Sequence, residues 1–119
     1  MSWIVHFNLG LVFLTMEQFS SAFHHLLVSI KHNPQNAQAY MYLGISLKDL
    51  GDSANAYNAF ARAVTLEPEN HLIYLNFALF LTDSENPDTV EMAKENFQKH
   101  VELFGMSGVD PEEDQELQA

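Results

Sequence analysis

Apolar residues recur along this chain at the three- and four-residue spacings of helices that bury one face. Ile4, Phe7, Leu11 and Leu14 share a face, with Leu9 and Phe13 on its flank, which predicts a helix over residues 3–15. Met16-Glu17-Gln18 makes the turn into a second helix over about 19–32, carrying Phe19, Ala22, Phe23, Leu26, Leu27 and Ile30. Asn33-Pro34 stops it, because proline disfavours helical geometry in the residue before it. Tyr40, Leu43, Gly44 and Leu47 mark a third helix over about 37–49, after which Gly51 supplies a left-handed stop. Asp52 is a natural N-cap for a fourth helix, about 53–66, with Ala56, Phe60, Ala63 and Val64 inward. Asn70 can cap a fifth from 71 to about 83, with Tyr74, Phe77, Ala78 and Leu81 in its buried slots. Asn86 as cap and Pro87 at the first helical position open a sixth, which Gly105 is expected to end.

The pattern also repeats at a longer period. Shifted by 34 residues, Gly10 returns as Gly44 and then as Ala78, Leu9 as Leu43 and Phe77, and Phe13 as Leu47 and Leu81. Ala22 returns as Ala56, and Asn33-Pro34 as Glu67-Pro68. In spacing and signature this resembles the tetratricopeptide repeat, a helix–turn–helix unit. The resemblance implies an all-α fold, a right-handed α-solenoid (a superhelix) of three helix–turn–helix repeats and six helices. Residues 1–104 would hold the repeats, at about 3–36, 37–70 and 71–104. Aligning Ala93 and Phe97 with Ala56 and Phe60 requires a three-residue loop insertion in the Thr82–Asp88 turn. Residues 105–119 read as an acidic, disordered tail.

A helical pair cannot bury its apolar face alone, so neighbouring units supply the core. The small residues Gly10, Gly44 and Ala78, with Ala22, Ala56 and Ala93 opposite, set how closely the helices approach. Gly44→Leu should overpack the crossing by ~1–3 kcal/mol. Gly44→Ala is expected to be mild or even stabilising, because glycine costs a helix ~1 kcal/mol relative to alanine.

Composition narrows the function. Apolar residues make up 47% and aromatics 12%, enough to fold, and cysteine is absent, so packing alone must hold the fold. Net charge is −11, from 16 acids and 5 bases; setting aside the five acids in the last ten residues leaves about −6. With no Lys/Arg stripe to counter that charge, nucleic acid is excluded as a partner. No apolar run reaches the ~18 residues of a membrane span, so direct membrane insertion is not expected. Met1-Ser2-Trp3-Ile4-Val5 lacks the basic region of a signal peptide, which makes a cytoplasmic location the default. Trp3 already stands at the start of a repeat, so the chain reads as a piece of a longer array. The last helix, with Phe97, Val101 and Phe104, has no solvating helix after it, and self-association through that edge is expected.

In repeats of this family the first helix of each pair lines a groove where extended peptides or helices lie. The candidate groove residues are Ile4, Phe7, Asn8 and Leu11, then Gln38, Met41, Tyr42 and Ile45, then Leu72, Leu75, Asn76 and Leu79. Asn8, Tyr42 and Asn76, themselves 34 residues apart, could hydrogen-bond a guest backbone while Phe7, Met41 and Leu75 provide pockets. The same polar tips could instead satisfy local backbone groups or face further repeats. A carboxylate-clamp use of the groove, which needs cations there, fails on charge, because Lys48 is the only base nearby.

Neither a metal site nor an enzyme emerges. His24 and His25 are adjacent and point about 100° apart on a helix. No two histidines stand four residues apart, as a helical zinc pair requires. No phosphate loop, nucleophile elbow or catalytic triad pattern is present, and no cofactor is implied. Glu91, Glu95 and Lys99 read as a solvated helix face.

One string is more particular than the repeat consensus demands. Phe7-Asn-Leu-Gly-Leu-Val-Phe-Leu-Thr-Met-Glu-Gln-Phe-Ser-Ser-Ala-Phe-His24 resembles a late repeat of the Bardet–Biedl syndrome 4 family of BBSome subunits. The similarity continues through Tyr40-Met41, Asn55 to Val64, and Leu75-Asn76-Phe77-Ala78. It implies a protein–protein interaction scaffold in ciliary membrane-protein trafficking, with other protein subunits as partners. The implied locations are the cilium basal body, centrosome or pericentriolar region. The alternative is a free-standing adaptor that binds extended peptide segments and is unrelated to cilia.

Overall fold

The computed structural model describes residues 2–83 and 86–106. Among them are six α-helices and no strand: α1 (Trp3–Thr15), α2 (Phe19–His32), α3 (Ala37–Asp49), α4 (Ser53–Leu66), α5 (His71–Thr82) and α6 (Pro87–Met106). They form three helix–turn–helix pairs, the tetratricopeptide-repeat arrangement. The chain divides into two units, residues 1–68 with α1–α4 and residues 69–119 with α5 and α6.

Local chemistry starts most of these helices. Ser2 Oγ accepts from Ile4 N at 3.2 Å, Asn36 Oδ1 from Ala39 N at 3.4 Å and Asp52 Oδ1 from Asn55 N at 3.2 Å. Asn70 Oδ1 accepts from Leu72 N at 3.1 Å, and Asn86 Oδ1 from Asp88 N at 2.9 Å. Each bond satisfies an amide that the helix leaves without an internal partner. Helix α2 begins after Gln18 with no side-chain cap.

The turns inside the first two pairs share one backbone trace. Gly51 lies at φ 86°, with Gly51 N donating to Lys48 O (3.0 Å) and Asp52 N to Leu47 O (2.9 Å). One period earlier Glu17 lies at φ 58°, with Glu17 N on Leu14 O (3.0 Å) and Gln18 N on Phe13 O (2.8 Å). This is the Schellman ending, which asks for a left-handed residue and therefore favours glycine.

In the first unit α1 packs on α2, α2 on α3 and α3 on α4, and α1 also touches α3. Ala22, Leu26, Ala37, Ala39, Ala56, Phe60 and Ala63 are fully buried. Gly10 lies beneath Leu26 and Gly44 beneath Phe60. A Cβ at Gly10 would stand 2.8 Å from Leu26 Cγ and Cδ2, and one at Gly44 2.9 Å from Phe60 Cδ2 and Cε2. Those distances overturn the expectation that Gly44→Ala is mild. The flat, fully buried Phe60 ring occupies the space that a methyl group needs, so even alanine overpacks the crossing.

In the second unit α5 packs on α6 around Tyr74, Phe77, Ala78, Leu81 and Ala93, all buried. Helix α5 ends at Thr82, and α6 continues through Gly105 to Met106, past its predicted end. A glycine ends a helix by turning left-handed, and Gly105, unlike Gly51, has no positive φ. The remainder of the predicted acidic tail, and Ser84 and Glu85 of the predicted insertion, lie outside the described residues. No helix among the described residues is long and apolar enough to cross a membrane.

Candidate partner-binding face

Helices α1 and α3 bring together the groove candidates of the first unit. Phe7 tilts against Tyr42, with ring centroids 6.0 Å apart and planes at 58°, and against Trp3 at 6.2 Å and 56°. The three half-buried rings form a run of tilted contacts, a favourable geometry for aromatic quadrupoles. Leu11 and Ile45 are half-buried beside them, while Asn8 and Gln38 are exposed. Ile4 is 49% exposed, whereas Met41 is 3% exposed and belongs to the core. The face therefore offers aromatic and aliphatic surface with amide groups at its margin, and carries no cation apart from the half-buried Lys48 on α3.

The candidates of the second unit lie on α5. Leu72 and Leu79 are 46% and 51% exposed, and Leu75 and Asn76 are half-buried. Asn76 Nδ2 donates to Leu72 O at 2.9 Å, a bond within its own helix.

Three features go beyond the sequence reading. The first is a cavity of about 360 Å³ walled by Phe23, Leu27, Tyr40, Leu43, Leu47 and Ala59, with Asp52, Asn55 and Asn58 at its rim. Periodicity places Phe23 and Leu27 among the apolar residues of α2, but it shows which way a side chain points and not whether the space above it is filled. The second is a stripe on α6, where Val90, Phe97, Val101 and Phe104 are all exposed at helical spacing. Phe97, Val101 and Phe104 were legible, but Val90 extends the stripe.

The third is a pairing of histidines between helices. His6 Nδ1 lies 3.2 Å from His25 Nδ1, and His71 Nδ1 lies 3.3 Å from His100 Nδ1. Spacing within one helix cannot show either pair, since the partners stand 19 and 29 residues apart. Desolvation, then the neighbouring His24 and His6, lowers the pKa of His25 below its ordinary 6.5. His100 Nδ1 also donates to His71 O at 3.0 Å, as Ser29 Oγ does to Trp3 O at 2.9 Å in the first pair of helices. One period after Trp3 and Ser29 stand Ala37 and Ala63, both fully buried. Among the described residues no group of three or more His, Cys, Asp or Glu side chains could hold a metal ion.

No protein-family model matches the chain. It is similar in sequence to BBSome complex member BBS4 of Bos taurus, with 40% identity over 116 residues covering 94% of this chain and 22% of that protein. The similarity to BBS4 of Xenopus tropicalis is 43% over 79 residues, covering 66% of this chain and 15% of the relative. The Drosophila melanogaster homologue is 41% identical over 80 residues, covering 62% and 16%. The chain thus spans between 15% and 22% of the length of these relatives. In fold it resembles MamA residues 41 to the end from Desulfovibrio magneticus RS-1, with a TM-score of 0.80 and 23% identity over 90% of this chain and 59% of that one.

Proposed function

We propose, from the premise that this chain is a stretch of tetratricopeptide repeats homologous to BBS4, that it is a protein–protein interaction scaffold within a BBSome. The observation that carries this reading is the sequence similarity to bovine BBS4 over 94% of the chain. The ciliary and basal-body setting, and a role in membrane-protein trafficking, come with that kinship. The partners are other protein subunits, and the role is structural and not enzymatic.

Within the first unit, the Trp3–Phe7–Tyr42 run with Leu11 and Ile45 is the proposed contact surface. Its apolar, half-open character suits the side chains of a partner segment, and its lack of free cations makes an acidic terminus a poor guest. In the second unit the exposed Leu72 and Leu79 and the α6 stripe are the proposed contacts, the stripe also serving self-association.

The division into three repeats of about 3–36, 37–70 and 71–104, the last with three extra residues, is part of the proposal. It is supported by the side-chain bonds to the first carbonyl of α1 and of α5. Ser29 follows Trp3 by 26 residues and His100 follows His71 by 29, a difference of three.

The test replaces the matching segment of bovine BBS4 with residues 2–106 of this chain and asks whether the chimera co-purifies with the remaining BBSome subunits. Recovery at the wild-type ratio is expected. A folded chimera that elutes alone would overturn the reading.

A further inference from the structure

The first helical pair is joined by two imidazoles set nitrogen to nitrogen. His6 on α1 and His25 on α2 have Nδ1 atoms 3.2 Å apart, ring centroids at 5.4 Å and planes 24° apart. The centroid separation is close to the nitrogen distance plus two ring radii, so the rings meet edge to edge with the nitrogens facing. A neutral imidazole carries one N–H donor and one acceptor nitrogen, whereas an imidazolium carries two donors. The pair can hold one proton between its two Nδ1 atoms as an N–H···N bond. With both rings protonated, two donors and two positive charges face each other and the bond is lost.

Helix α1 has no other ionisable side chain, and α2 carries only His24, His25, Lys31 and His32. Helix α3, which packs on both, carries Tyr40, Tyr42, Lys48 and Asp49, and the turn between α1 and α2 carries Glu17. The charges that act on His25 are His24 and His6, both basic. His24 stands edge-on to His25 at 5.2 Å, and Phe13 lies parallel to it at 5.3 Å and 9°. An apolar ring and a third imidazole thus flank His25.

We propose that His6 and His25 form a pH-sensitive latch across the α1–α2 seam, closed while at most one of the two rings is protonated and opened when both are. Acidification through the range where histidine titrates loosens α1 from α2 at this level. Because Phe7 follows His6 on α1, the loosening reaches the Phe7–Tyr42 contact. This last consequence, weaker partner binding in acid, rests on the proposed scaffold role; the latch itself does not.

The test is amide hydrogen exchange of the 119-residue chain at about pH 7.5 and about pH 5.5, corrected for intrinsic exchange, together with imidazole titration by NMR. Protection across α1 and α2 should fall about fivefold in acid, the equivalent of one hydrogen bond. His25 should titrate below its ordinary 6.5, and His6→Asn should raise its midpoint, because the neighbouring imidazole is one cause of the depression. His25→Asn, whose amide can donate and accept at the Nδ1 position without titrating, should abolish the loss, and so should His6→Asn if the first variant does not fold. A His25 midpoint unmoved by His6→Asn, or an equal acid loss in a folded Asn variant, would overturn the latch. Neither readout needs a partner, so failure of the scaffold reading leaves the result interpretable.

Discussion

Phe60 lies across Gly44 so closely that a methyl group added to the glycine would stand 2.9 Å from two carbons of its ring. Leu26 covers Gly10 in the same way, at 2.8 Å, one period earlier. Gly44→Ala therefore sets overpacking of ~1–3 kcal/mol against a helix-propensity gain of ~1 kcal/mol. The expected result is a net loss of up to about 2 kcal/mol in urea unfolding, and a larger loss for Gly44→Leu. Adding Phe60→Leu to Gly44→Ala should recover part of it, and purely additive losses would show that the two sites do not interact.

Glu17 occupies a left-handed position that glycine fills one period later. A non-glycine residue there costs ~1–2 kcal/mol. Glu17→Gly should raise the thermal midpoint, stabilising by about 1 kcal/mol, and Gly51→Ala should lower it by a similar amount. Unchanged midpoints would mean that these turns relax to other dihedrals.

Burial and two basic neighbours hold His25 below its ordinary value of 6.5. Between its folded and unfolded values the unfolded chain binds more protons, so stability rises with pH in that window. The contribution is complete above pH 6.5 and is lost as pH falls through the depressed folded value. Burial raises Tyr74 above 10.0, and here the sign reverses. Its contribution is intact below pH 10 and lost as pH rises through the folded value, because the unfolded chain ionises first. Unfolding curves across both ranges, with His25→Phe and Tyr74→Phe as controls, should show each slope flattened in its own variant.

Phe7→Ala with Tyr42→Ala removes two half-buried rings from the proposed contact face. Partner capture by the BBS4 chimera should fall at least tenfold, ~1.4 kcal/mol, while helicity by circular dichroism is kept. Asn76→Ala should change capture little, since its amide bonds Leu72 O within its own helix. Full capture by the aromatic double variant would move the contact elsewhere.

The α6 stripe predicts association of the isolated chain. Light scattering across a dilution series should show the mean mass rising with concentration, and Phe97→Gln with Val101→Gln should remove the rise. A wild-type chain of constant monomer mass would show that the stripe does not drive self-association.

Helix boundaries were legible wherever the signal was local. Asp52 and Asn70 cap the helices they were expected to cap, Gly51 takes the left-handed turn, and Asn33-Pro34 and Glu67-Pro68 end α2 and α4. The reading failed at Gly105, because a glycine only permits an ending and the dihedral that makes one is not written in the residue. The candidate face was legible as a set of positions: periodicity places Phe7 and Tyr42 on the first helices of their pairs. It does not show that their rings touch, or that Met41 on the same helix is closed off in the core.

By itself the sequence determined six helices, the caps at Asp52, Asn70 and Asn86, a 34-residue period and the small residues that recur with it, because each is written in the order of residues along the chain and needs no knowledge of how two helices meet. Only the tertiary structure decided that Phe60 fills the space above Gly44, that His6 meets His25 and that His71 meets His100. Those contacts join residues 16 to 29 positions apart, and the rotation of one helix against another, which no local pattern encodes, selects which side chains coincide.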